Sequence, residues 1–169
     1  MHRPGRAGGG AENRLAHPPA TMVPAAEVLA LHRAVRACLG AGPGGAVLRA
    51  AGEATGRYLL AHRIPRPVRL ALRAAPAPLA ARLLVAAIRR HAWTFGMPEG
   101  LGATWRGGLR LTLTANPIAP PGACGPGCDF HAGTFAVLFQ ALVDRRLLVR
   151  ETACRAAGAP SCVFTIGRG

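Results

Sequence analysis

The sequence predicts an α+β fold: a single ligand-binding domain in which N-terminal helices pack with a small antiparallel sheet. Three observations carry this. Helical spacing of apolar residues dominates the first half of the chain, period-two alternation appears only after residue 100, and the helices come as a run before the strands rather than alternating with them. Half of the 169 residues are hydrophobic, which allows a sizeable core. No stretch reaches the roughly 18 unbroken apolar residues that a membrane span needs.

Residues 1–23 are rich in Gly, Pro, Ala and Arg without apolar period and read as a disordered tail, leaving 24–169 as the domain. Ala25–Leu39 carries Val28, Leu31, Val35 and Leu39 at helical spacing, and Gly40 ends it. Gly44–His62 is a second helix, with Val47, Ala51, Ala54 and Tyr58 on one stripe. Its Gly52 and Gly56, four residues apart, allow another backbone to approach closely. Ile64–Pro67 breaks it, because proline lacks the amide donor and clashes with the preceding turn. Pro76–Phe95, with a shorter helical piece before it, places Leu84, Ile88, His91 and Phe95 on one face. Gly96–Gly108 reads as turns, and Leu109–Ala115 alternates as a strand. A Pro/Gly loop, Asn116–Gly127, leads to an apolar helix, Cys128–Val143. Asp144–Arg146 turns into the strand Leu147–Ala153, and Ser161–Ile166 is the last strand.

The formal net charge is +14, and every one of the 21 cations is arginine. The arginines are scattered, and no zinc-finger spacing, aromatic RNA-binding signature or helix-turn-helix accompanies them, so no nucleic-acid partner is expected. Such a surface suits carboxylated substrates or anionic lipid headgroups. The first residues lack the apolar core of a secretory signal, so a cytoplasmic protein with reduced thiols is expected. Gly40-Ala-Gly-Pro-Gly-Gly45 spells the dinucleotide fingerprint, but a helix precedes it and no acid stands about 20 residues on. It reads as a linker between helices.

The cysteines carry the sharpest chemical signal. Cys154 and Cys162 are equidistant from Gly158, so a hairpin symmetric about that glycine sets them opposite each other, about 4.5–5.5 Å apart. Upstream, Cys124-x3-Cys128-x2-His131 places three further soft ligands where a loop enters a helix. Tetrahedral zinc takes four such donors, and a closed four-ligand site is structural. Cys38 reads as packing. His91, on the apolar stripe, and His131, on a face with Phe135, Leu138 and Leu142, are candidates to ligate magnesium or meet a substrate carboxylate, or else hydrogen-bonded core residues. Trp93, Phe95 and Trp105 are candidate walls for a flat ligand. Glu151 reads as structural, and with seven acidic residues in the whole chain paired-carboxylate chemistry is not expected.

The runs Gly56-Arg-Tyr-Leu-Leu-Ala-His-Arg-Ile-Pro65, His91-Ala-Trp-Thr-Phe95, Asn116-Pro117, Cys128-Asp-Phe-His-Ala-Gly-Thr-Phe135 and Glu151 to Ile166 resemble the bacteriochlorophyll 4-vinyl reductase family, from about Ala25 to Arg168. The closing Glu-x2-Cys-x3-Gly-x3-Cys-x-Phe run is similar to the wider 4-vinyl reductase domain of aromatic-sensing regulators, which is similar in fold to a vesicle-tethering component. The resemblance implies an enclosed apolar cavity and 8-vinyl (4-vinyl) reduction of divinyl chlorophyllide or protochlorophyllide, with an external reductant, since no nicotinamide, flavin or iron–sulfur motif is found. A non-catalytic pigment carrier, or a scaffold for other bacteriochlorophyll-synthesis enzymes, is the alternative. The resemblance also implies zinc at Cys128, Cys154 and Cys162, with Cys124 or His131 in place of the sensors' acidic fourth ligand. A homodimer and a peripheral position at the photosynthetic membrane are compatible with it.

Overall fold

The computed structural model describes residues 23–91, 100–105, 108–116, 118 and 127–169. Five α-helices and four strands follow in the order α1 (Ala25–Leu39), α2 (Ala41–Tyr58), α3 (Arg66–Ala74), α4 (Ala77–Arg90), β1 (Leu101–Thr104), β2 (Leu109–Leu113), α5 (Asp129–Leu142), β3 (Leu147–Ala153) and β4 (Cys162–Arg168). The strands form one antiparallel sheet in the order β1-β2-β4-β3. The fold is α+β.

Alternation sets the two faces of the sheet. Leu109, Leu111 and Leu113 of β2 and Cys162, Phe164 and Ile166 of β4 are buried, while Arg110 and Arg150 lie on the open face. The covered face receives α5, whose Phe135, Leu138, Phe139 and Leu142 join the sheet in one core with Leu72 of α3 and Leu84, Val85 and Ile88 of α4. On its other side α5 packs against α2, which in turn carries α1. A helix apolar all round belongs in such a central place.

The contact between α2 and α5 is made by backbone. A Cβ on Gly52 would collide with the Phe130 carbonyl, and one on Gly133 with the Arg49 carbonyl. Gly56 is nearly as tight, 2.8 Å from Val137 Cβ. The Thr134 hydroxyl, 3.0 Å from the Gly52 carbonyl, adds a hydrogen bond across the same crossing. At the N-terminus of α5, the guanidinium of Arg36 from α1 pairs with Asp129 and donates to the Gly127 carbonyl at 3.1 Å. Asp129 also sits in the first turn of α5, where the helix dipole favours an anion.

Several expectations change. The buried stripe of α2 is Gly44, Leu48, Gly52 and Gly56 rather than Val47, Ala51, Ala54 and Tyr58; small residues win because the approaching surface is a backbone. In α1 the stripe Val28, Leu31, Val35, Leu39 does not reach the core, and His32 is the one buried residue. Gly40 alone, at φ +81°, links α1 to α2, and Ala41–Gly45 already belong to α2. That helix ends in a π-helical turn, Leu59–Arg63, before Pro65. The stretch read as turns contains β1, a four-residue edge strand whose Gly102 hides the alternation. Leu84 and Ile88 are buried on α4, but His91 caps that helix and is exposed. Cys38 is exposed as well, not packed.

The crossing yields the first prediction. Gly52→Ala forces two helices apart and is expected to cost about 3 kcal/mol in urea unfolding. An unchanged midpoint would show that α2 and α5 are not in backbone contact.

Candidate metal centre and buried histidine

Three elements converge at one end of the sheet. Cys128 immediately precedes α5, Cys154 follows β3, and Cys162 opens β4. All three are buried, and with Glu151 of β3 they form a group whose ligand atoms all lie within 4.8 Å of one another. The Sγ of Cys128 is 3.7 Å from that of Cys154 and 3.4 Å from that of Cys162. Sulfurs sharing a tetrahedral zinc at about 2.3 Å stand about 3.8 Å apart. The spacing therefore fits a metal after a shift of a few tenths of an ångström.

A β-bulge makes this possible. From Leu147↔Arg168 to Glu151↔Phe164, β3 and β4 pair in a constant register, which shifts by one residue between Glu151 and Ala153. Side chains alternate along a strand, so without the extra residue Cys154 would point away from Glu151. With it, Glu151 and Cys154 turn to the same side, opposite Cys162. The turn closes through the short 3-10 segment Arg155–Ala157 and Gly158, whose φ of +89° is open to glycine at little cost.

The surroundings favour sulfur anions. The side-chain amide of Asn116 donates to Cys128 Sγ at 3.1 Å and Cys162 Sγ at 3.7 Å, and the backbone N–H of Arg155 donates to Cys162 Sγ at 3.4 Å. The thiol of Cys128 donates to Cys162, which with the Arg155 and Asn116 donors lowers the Cys162 thiol to about 6 despite its burial. The same hydrogen bond, with burial and the nearby Glu151 charge, pushes Cys128 far up. Burial, then Glu151, raises Cys154. Glu151 Oε2 accepts the Cys128 backbone N–H at 2.9 Å, while its buried Oε1 has no partner. A buried, unpartnered carboxylate oxygen facing three thiols is what a fourth ligand looks like before the metal binds.

Glu151, read from the sequence as structural, thus fills the fourth place that Cys124 or His131 was expected to take. His131 is outside this group, and Cys124, Trp93 and Phe95 lie outside the described residues. Trp105 is at the end of β1, 39% exposed, with the Arg82 guanidinium 5.7 Å from its ring centre. Asn116 was missed as a sulfur partner; its signal was the Asn-Pro pair in a loop between cysteine-bearing elements.

His131 is buried within α5, between Phe130, Phe135 and Phe164 at ring-centre distances of 5.8, 6.2 and 6.3 Å. Its Nδ1 has no hydrogen-bond partner. Burial, with the nearby His32 as a second cause, lowers it to about 4. His32, for which no sequence pattern offered a signal, is itself buried and packs on Phe130 at 5.4 Å. Because His131 binds its proton more weakly when folded, stability falls as pH drops from about 6.5 to 4, by about 3 kcal/mol in total. Urea titrations should show that His131→Phe loses this part of the acid sensitivity; an identical pH slope in both proteins would place a proton on the native imidazole.

Residues 114–168 match the model of the 4-vinyl reductase domain family. The chain is 41% identical over 152 residues to the bacteriochlorophyll synthase 23 kDa chain of Cereibacter sphaeroides, covering 88% of this chain and 72% of that one. Identity to the protein of the same name from Rhodobacter capsulatus is 37% over 150 residues, covering 88% and 70%. The phenol-responsive sensory domain of the transcription activator PoxR shares the fold, with a TM-score of 0.62 at 15% identity over 88% of this chain and 76% of that one. The chain, whose sheet and last hairpin carry the 4-vinyl reductase domain, belongs to the family of the bacteriochlorophyll synthase 23 kDa chain.

Proposed function

We propose that this protein acts in bacteriochlorophyll synthesis, in the cytoplasm, by binding divinyl chlorophyllide or protochlorophyllide at the stage of 8-vinyl (4-vinyl) reduction. Similarity to the 23 kDa chains over 88% of the sequence is the observation that carries the pathway. His131 carries the ligand. A neutral imidazole with a free Nδ1 among three phenylalanine rings has the donor and the apolar setting for a magnesium tetrapyrrole. Scattered arginines supply partners for the pigment carboxylate. His91, Trp93, Phe95 and Trp105 remain candidate ligand contacts.

Reduction of a vinyl to an ethyl group adds two electrons and two protons. In this reading an external reductant supplies the electrons, and the protein binds and orients the macrocycle. One observation favours the carrier alternative. The carboxylates of Glu53, Asp129 and Asp144 are engaged by arginines and Glu151 faces the thiols, so among the described residues none of these four is placed for proton transfer to a substrate.

Cys128, Glu151, Cys154 and Cys162 would hold a structural zinc. Three thiolates and a carboxylate exceed the charge of a divalent ion, and the N–H donors of Asn116 and Arg155 offset the surplus. A zinc here joins the last hairpin to the start of α5.

Two measurements test these readings. Metal analysis of purified protein should find one zinc per chain, and cobalt substitution should give a thiolate charge-transfer band. Cys162→Ser should lose both and unfold several degrees lower, whereas a metal-free wild type of unchanged stability removes the zinc. Titration with divinyl chlorophyllide, followed by absorbance, should saturate and weaken about tenfold or more in His131→Ala. No saturation in the wild type ends the pigment reading, and equal affinity in the variant ends the role of His131. NADPH- or ferredoxin-dependent formation of monovinyl product by the bound protein separates reductase from carrier.

A further inference from the structure

Between Glu53 and Glu99 the sequence has eight arginines and no acidic residue. Helices α3 and α4 lie in this interval. Each buries one face in the same core, through Leu72 on α3 and Ala80, Leu84, Val85 and Ile88 on α4, so their opposite faces turn away from the protein. Those outer faces are not polar, as a solvated helix face would be. Leu79 and Leu83, one turn apart on α4, are 48% and 50% exposed, and Leu70 on α3 is 66% exposed. Arg66 and Arg73 flank Leu70 at one turn on either side. Arg82 borders the Leu79–Leu83 stripe and Arg90 continues it. Among the described residues, Arg57 alone of the arginines in this interval reaches a carboxylate, Glu53 at 3.8 Å. The half-exposed ring of Trp105, held by Arg82, adds an amphipathic aromatic beside the same helix.

We propose that the outer face of α3 and α4 binds the surface of an anionic bilayer, with Leu70, Leu79 and Leu83 entering the headgroup boundary and the neighbouring arginines meeting lipid phosphates. Leucines at helical spacing among arginines, with tryptophan at the margin, match an interfacial helix surface. A protein partner fits less well. The core of a protein interface sheds charge, whereas here arginines stand directly beside each exposed leucine. No helix among the described residues is long and apolar enough to cross a membrane, so contact is with the surface. The proposal is independent of the pigment reading.

Flotation of the full-length protein with vesicles tests it. The protein should float with phosphatidylcholine vesicles containing phosphatidylglycerol, remain behind with phosphatidylcholine alone, and be released by high salt. The triple variant Leu70→Ser, Leu79→Ser, Leu83→Ser should bind more weakly by about tenfold or more, with an unchanged circular dichroism spectrum. Arg66→Gln with Arg90→Gln, which leaves the leucines in place, should also weaken binding. No flotation with anionic vesicles, equal flotation with neutral ones, or equal binding by the triple variant each overturns the proposal. Saturable pigment binding by the triple variant would keep the two readings apart.

Discussion

The carbonyl of Phe130 rests against Gly52 and that of Arg49 against Gly133, leaving no room for a side chain between α2 and α5. This close passage lets α5 be covered on every side, by the sheet and α4 on one flank and by α2 on the other. A helix so enclosed has no freedom to slide or rotate. Cys128, at its start, is therefore delivered to one place at the end of the sheet. The Arg36–Asp129 pair fixes the same helix end from the side of α1.

The hairpin delivers the other donors. Here the controlling feature is the one-residue register shift between β3 and β4, which converts a strand of strict alternation into one that turns Glu151 and Cys154 to the same side. The thiols then crowd together in a space with few polar partners. The shared S–H between Cys128 and Cys162 and the unpartnered Glu151 oxygen show a site that is electrostatically incomplete by itself. Fold and site are thus coupled, because the same hairpin turn closes the sheet and gathers the ligands.

The molecule is also divided in charge. The carboxylates of the described residues lie on α1 and α2, at the ends of α5 and in the cysteine site, while α3 and α4 carry cations and exposed leucines. His131 lies between, in an aromatic core where burial keeps it neutral at physiological pH. One side of the chain is built to be held rigid, and another is left with an outer surface that water solvates poorly.

Much of this was readable in the linear sequence. Period and order pointed to the α+β class, and long uniform patterns such as Leu109–Leu113 and Cys128–Val143 marked their elements nearly to the residue. The positions of Cys154 and Cys162 about Gly158 announced their meeting, and Gly52 with Gly56 announced a close approach. Local sequence could do this because alternation, helical spacing and turn preference act over a few residues. What it could not supply was anything set by a partner far along the chain. Only the tertiary structure made glycines rather than apolar side chains the buried face of α2, turned Leu31 outward and His32 inward, paired β1 into the sheet, and brought Glu151 rather than His131 to the thiols. Each of these depends on which surface arrives opposite, and on a bulge whose single extra residue reverses the facing of the chain.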